Sequence, residues 1–207
     1  IESTLLNIRG IKVVYPSNAA DMKGLMKAAF HDPNPVVMLE HKGLYWSKVP
    51  GTEGAKTFEP DSDYIIPLGK SRIDQEASEE AIENGESCVV ITYGMGVYWT
   101  RAASKTFKGQ VEILDLRTLN PLDWEGVIAA VKRHNKALVL TEEPLMNSFA
   151  ESLAGRISKE CFQILDAPVM TYGAANLPAI PLNVDLEKQM LPTAEKVEGV
   201  LSELLNY

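Results

Sequence analysis

Several short segments carry residue types and spacings that could do chemistry. Gly94-Met95-Gly96 follows an apolar run that ends at Tyr93, and glycines between a strand and a helix can cradle phosphate with bare backbone N–H groups. The third glycine of that fingerprint is missing, because Trp99 takes its place. The acid expected about 20 residues further on falls at Asp115, inside the predicted strand Val111–Arg117 rather than at its tip. A tight turn is the expected role. Thr141-Glu142-Glu143 closes another apolar run, and the carboxyl ends of parallel strands are where α/β folds place ligands. Glu142 is therefore the leading ionisable candidate. Adjacent strand side chains point to opposite faces, so Glu142 and Glu143 should not converge on one substrate, and structural or interface roles are expected for both.

His31, His41 and His134 lie far apart, at predicted element ends, without His-x-x-x-His or Glu-x-x-His ligand spacing. They read as solvated or capping histidines. No serine sits in Gly-x-Ser-x-Gly, and neither Cys88 nor Cys161 has the helix-start or histidine setting of a nucleophile. Asp32-Pro33-Asn34-Pro35 stops a helix with exposed carbonyls and an Asn oxygen, which either bind a hard cation or simply end the helix.

The elements that position these residues follow from periodicity. Ile11–Ser17 and Pro35–His41 read as strands. Between them Asn18 can cap a helix whose Met22, Leu25, Met26, Ala29 and Phe30 repeat at helical spacing. That βαβ unit has open sheet edges, so it requires further strands. Lys48–Asp63 is polar, rich in Pro and Gly, and reads as a linker. From Cys88 strands and helices alternate: strands Cys88–Tyr93, Val111–Arg117, Ala137–Thr141 and Val169–Tyr172, with helices from about Val97 to Phe107, after Asp123, after Asn147 or Ser148, and from Thr193 to Leu205. Regular alternation with apolar strands predicts an α/β fold, a three-layer α/β/α sandwich around a mostly parallel sheet.

With 207 residues and 45% apolar content, the chain can bury a real core. Its 20 basic and 28 acidic side chains leave a net charge of −8, so it lacks the basic footprint that nucleic-acid binding needs. The acidity lies after the linker: residues 1–60 hold 7 basic and 6 acidic side chains, whereas Asp61–Glu86 alone holds 2 and 8. That stretch reads as a solvated face or loop, with a docking patch as the alternative. No membrane-spanning run and no signal peptide are visible. Two cysteines make no disulfide framework or zinc site, so a soluble, cytoplasmic chain is expected. Ile1 in place of an initiating Met reads as the start of a processed or incomplete segment.

As whole phrases in order, IKVVYPS (Ile11–Ser17), KGLMKAAFHDPNPVVMLE (Lys23–Glu40), YIIPLGK (Tyr64–Lys70), ILDLRTLNPLD (Ile113–Asp123), DAPV (Asp166–Val169) and LEKQMLP (Leu186–Pro192) resemble the beta subunit of thiamine-diphosphate-dependent 2-oxoacid dehydrogenases. The resemblance spans nearly the whole chain. It implies that residues 1–46 are the tail of a pyrimidine-binding domain, 47–63 a linker and 64–207 a transketolase C-terminal-like domain. It also implies a role in the oxidative decarboxylation of a 2-oxoacid, 2-oxoisovalerate ahead of pyruvate, with acyl transfer to lipoamide. In that family the thiamine-activating glutamate and the active-site histidine lie outside the part matched here, while thiamine diphosphate and magnesium are held with the alpha partner. By the resemblance this chain has no catalytic or cofactor-binding residues, is inactive alone, and serves assembly and docking. Its implied partners are an alpha subunit or a fused alpha region, a second copy in a dimer, and the lipoyl acyltransferase core, with neither nucleic acid nor membrane.

The resemblance further implies a structural potassium ion on the carbonyls of Ala29 and Asp32 and the side chain of Asn34. It also makes Asp185, Glu187, Glu195 and Glu198 candidate contacts for a small basic binding domain. Asn147-Ser148-Phe149-Ala150-Glu151 departs from the family's glycine-rich phrase, and Asp74–Glu86 is longer and more acidic than usual. Alternatives are a deoxyxylulose phosphate synthase, an oxoacid:ferredoxin oxidoreductase, or a non-catalytic interaction module.

Overall fold

The computed structural model describes all 207 residues. After a short helix α1 (Glu2–Leu6), the βαβ unit forms as β1 (Lys12–Val14), α2 (Ala19–His31) and β2 (Val36–Met38), with β1 and β2 parallel. Asn18 caps α2 by accepting the Asp21 N–H at 2.9 Å, satisfying one of the four free donors at a helix start.

The polar stretch after β2 has only short 3-10 turns, two of them joined across a kink at Tyr45 and Trp46 within Lys42–Ser47 and one at Glu53–Ala55. The chain then returns across α2, where Ile66 N–H bonds to the Gly24 carbonyl at 3.2 Å. Gly24 permits this approach, since a Cβ there would stand 2.7 Å from the Ile66 side chain.

The second sheet starts earlier than the apolar pattern implies. β3 (Arg72–Gln75) and α3 (Glu79–Glu83) form within the acidic stretch expected to be a loop or solvated face. Arg72 and Asp74 hide the strand from an apolar count, because their charges are neutralised by ion pairs rather than by water. There follow β4 (Cys88–Thr92), α4 (Gly96–Ala103), β5 (Val111–Asp115), β6 (Thr118–Asn120), α5 (Trp124–His134), β7 (Ala137–Pro144), α6 (Phe149–Cys161), β8 (Met170–Ala174), α7 (Val184–Met190) and α8 (Ala194–Leu205). The five-stranded sheet runs β3-β5-β4-β7-β8, parallel except for β3. The three-residue β6 leaves this sheet and pairs antiparallel with β1, completing a three-stranded sheet β2-β1-β6.

Strand alternation builds the layers. On β4, Val89 and Ile91 face a core made with Val127 and Val131 of α5 and Leu153 and Ile157 of α6. Cys88 and Val90 face the opposite core, with Val97 of α4 and Val197, Leu201 and Leu204 of α8. Each fully buried Leu or Ile contributes about 1.5–3 kcal/mol over exposure, so both faces require their helices. Val13 and Tyr15 join the first of these cores, and the βαβ unit therefore packs on the large sheet. Ser148, Asp123 and Thr193 each cap the helix that follows by accepting an N–H three residues on.

Candidate functional site

The densest set of polar side chains lies where the two sheets meet. Ser17 follows β1, Asp21 is on α2, Arg72 and Asp74 are on β3, Tyr98 and Arg101 are on α4, and Asp115 ends β5. Asp115 is fully buried. It accepts from Ser17 Oγ at 2.5 Å, from Arg72 Nη2 at 3.2 Å and from the Arg117 N–H at 3.2 Å. Arg72 Nη2 also stands 2.7 Å from Asp74 Oδ1, and Arg101 grips Asp74 with two donors at 2.5 and 2.6 Å. Arg117 Nη1 reaches Asp21 at 3.3 Å, and Tyr98 donates to the Ser17 carbonyl at 2.7 Å.

Three carboxylates thus face three guanidinium groups. Burial pushes the Asp115 carboxyl up to about 6, against the lowering effect of Ser17 and Arg72. Burial would discourage the Arg72 charge, yet Asp115, Asp21 and Asp74 hold it above its ordinary range. Burial likewise raises the Tyr98 hydroxyl to about 12. With its acceptors taken by fixed cations, this cluster is built to fix the two sheets together.

Glu142 and Glu143 diverge as alternation requires. Glu142 Oε1 meets His41 Nε2 at 3.1 Å, joining the end of β7 to the segment after β2, while its Oε2 is buried without a partner. Glu143 instead accepts the Phe149 N–H at 2.7 Å at the start of α6. Next to Glu142, burial drives the Tyr15 hydroxyl far up, with the Glu142 charge adding to it. His41, Leu44, Trp46, Ser17, Asn18 and Met22 contribute to the wall of a cleft at the amino end of α2.

Gly94 turns tightly, with φ +54°, and a Cβ there would meet the Tyr15 ring at 2.8 Å. Tyr15 thus covers Gly94, whereas a Cβ on Gly96 would clash with Thr92 Oγ1. Asp115, expected inside its strand, is instead its last residue, because Leu116 leaves the ladder as the chain turns towards β6.

His31 is exposed at the end of α2, and His41 caps the following turn by accepting the Gly43 N–H at 3.1 Å. His134 corrects the expectation of a solvated or capping ring. Its side chain is fully buried, with Nδ1 2.7 Å from Ser87 Oγ and Nε2 3.2 Å from Glu112 Oε2. Burial alone would raise the Glu112 carboxyl, but His134 and the paired Arg133 hold it below the ordinary range. Both cysteines are free and buried, and desolvation lifts Cys88 to about 12.

Ala29, Asp32 and Asn34 fall within one turn. The Ala29 carbonyl accepts the Asp32 N–H at 3.2 Å, the Asn34 amide donates to Asp32 Oδ1 at 3.1 Å, and Lys12 pairs with Asp32 Oδ2. Asp185 and Glu187 lie in an exposed segment in which Ile180, Leu182, Val184 and Leu186 also face solvent. The seam cluster escaped sequence reading, since its partners Ser17, Arg72 and Asp115 come from three distant segments. The one available signal was an acid closing an otherwise apolar strand.

Comparison with known proteins adds independent findings. The family described as transketolase, C-terminal domain, matches residues 79–197, and the transketolase pyrimidine-binding domain matches residues 1–47. The chain is 34% identical over 210 residues to 2-oxoisovalerate dehydrogenase subunit beta of Bacillus subtilis, covering 100% of this chain and 60% of that protein. It is 36% identical over 200 residues to pyruvate dehydrogenase E1 component subunit beta of Rhizobium meliloti, covering 94% of this chain and 40% of that protein. A solved structure described as a split gene transketolase, inactive beta4 tetramer, superposes with a TM-score of 0.73 at 18% identity, over 99% of this chain and 60% of that one. The chain therefore spans about half the length of these curated relatives.

Proposed function

The chain belongs to the transketolase family through its C-terminal domain, and from that premise we propose that it is the C-terminal part of a beta-type subunit of a 2-oxoacid dehydrogenase. Its reaction is the oxidative decarboxylation of 2-oxoisovalerate or pyruvate with acyl transfer to lipoamide. The observation that carries this reading is 34% identity along the entire chain to a 2-oxoisovalerate dehydrogenase beta subunit. The transketolase structure, at 18% identity, supports the fold alone.

Within such an enzyme this segment serves assembly. Thiamine diphosphate, as an electron sink, would supply the decarboxylation chemistry. The side chains here do not fit the cofactor or its magnesium: no group of three His, Cys, Asp or Glu is placed to hold a metal ion, and the Gly94 turn is filled by Tyr15. Residues 1–46, 47–63 and 64–207 act in our reading as pyrimidine-domain tail, linker and transketolase C-terminal-like domain. Partners are an alpha subunit, a second copy, and the lipoyl acyltransferase core, the last through Asp185, Glu187, Glu195 and Glu198. A potassium ion on the Ala29 and Asp32 carbonyls and the Asn34 side-chain oxygen would tie off the end of α2. No helix is long and apolar enough to cross a membrane, and two free thiols fit a reducing compartment such as the cytoplasm.

The test is to co-express the full-length gene product with its alpha subunit and compare 2-oxoisovalerate with pyruvate in dye-coupled decarboxylation. Turnover of either supports the reading, and a complex that turns over neither overturns it. Decarboxylation by these 207 residues alone would refute the assembly role.

A further inference from the structure

His41 is placed so that one proton and one hydrogen bond exclude each other. Its Nδ1 accepts the Gly43 N–H at 3.1 Å, while Nε2 lies 3.1 Å from Glu142 Oε1. A ring nitrogen that accepts an amide hydrogen is unprotonated, so the ring is neutral and its single hydrogen sits on Nε2, directed at Glu142. A second proton has only Nδ1 to occupy, and there it would point at the Gly43 N–H. The ring lies directly over Gly43, where an added Cβ would stand 2.9 Å from it.

The segment held by this contact carries strained backbone. Lys42–Ser47 begins at the His41 cap and is interrupted by Trp46 and Ser47 at φ +63° and +47°, conformations that L residues rarely adopt. Ser47 Oγ is buried without a hydrogen-bond partner. Leu44 N–H bonds back to the His41 carbonyl at 3.0 Å, so His41 ties the segment down through both its ring and its backbone. Leu44, Tyr45 and Trp46 form one wall of the cleft whose other side includes Asn18 and Met22.

We infer that His41 is a proton-operated latch, and that its protonation releases the Lys42–Ser47 strap from the cleft at the amino end of α2. Charged groups from several elements surround it. Glu142 on β7 presents Oε1 to Nε2 and keeps Oε2 buried without a partner. Glu40 adjoins His41 on the same side of charge, and Tyr15 lies close enough to feel Glu142. Lys42 follows it in the chain, and Lys56 lines the same cleft.

The experiment follows the full chain by 15N NMR between pH 5 and 8. Only three histidines are present, so the His41 ring signals can be assigned. The expected result is that Nδ1 protonation and movement of the Gly43 amide share one midpoint, with amide protection at Gly43, corrected for intrinsic exchange, falling at least tenfold across it. His41→Asn supplies a non-titrating acceptor at the Nδ1 position, so in that variant Gly43 protection should stay within twofold over the same range. The latch is refuted if His41 does not titrate there, if it titrates while Gly43 stays protected, or if Gly43 in His41→Asn moves like wild type.

Discussion

Arg72 Nη2 lies 3.2 Å from Asp115 Oδ2, so the first residue of β3 is clamped to the last residue of β5 at the point where Ser17 arrives from the other sheet. Removing the cation leaves Asp115 buried with no guanidinium against it. Breaking a buried ion pair from one side costs about 3–5 kcal/mol. The lower end applies here, because the Arg72 side chain keeps 33% of its surface in water. Arg72→Met should therefore lower unfolding stability by about 3 kcal/mol in urea titration. A loss under about 1 kcal/mol would show that the clamp is only a surface pair.

The same carboxylate gives the seam a pH signature. Asp115 has a folded value of about 6 against about 3.9 for an unfolded Asp, so between these values the native state binds the extra proton. Its ionisation thus works against folding, and the associated stability is lost as pH rises from about 4 to about 6. Asp115→Asn removes the titration. Relative to wild type, the variant should gain on the order of 3 kcal/mol between those pH values, measured by denaturant titrations at each pH. Parallel curves for the two proteins would contradict this.

Gly94→Ala tests the turn. Its φ of +54° and the Tyr15 ring 2.8 Å from any added Cβ combine backbone strain with a clash against a buried ring. The expected cost is about 2–3 kcal/mol, read as a lower thermal midpoint. Gly155→Ala, on α6 with no atom within 4 Å of the added Cβ, should instead raise stability by up to about 1 kcal/mol.

What the sequence revealed depended on whether the signal was local. Asn18, Asp123 and Ser148 announce their helices because a cap bonds three residues away. The runs Cys88–Thr92 and Ala137–Thr141 read as strands because both of their faces are buried. β3 was hidden because Arg72 and Asp74 look solvated in sequence and become neutralised only when α4 brings Arg101 beside Asp74. The burial of His134 depends on Ser87 and Glu112, 47 and 22 residues away, and no spacing rule links them. β6 carries three residues, too few for any periodicity. Its pairing with β1 is a long-range event that the pattern of residues 118–120 does not encode.

The acidic docking proposal can be tested by charge reversal. Asp185 and Glu187 are exposed in the first turn of α7, where reversal disturbs no buried contact. Asp185→Lys with Glu187→Lys should lower unfolding stability by no more than about 2 kcal/mol, the cost of two reversed charges at a helix start. Opposite charges at an interface act mainly on association rate and its salt dependence. The double variant should therefore bind a basic acyltransferase binding domain at least tenfold more slowly at low salt, with the gap closing above about 0.5 M as screening shortens the reach of charge to a few ångströms. Surface plasmon resonance across a salt series separates the effects. An unchanged association rate would remove these acids from the interface, whereas a loss that persists at high salt would mean that the neighbouring exposed Leu186 and Val184, and not the charges, carry the contact.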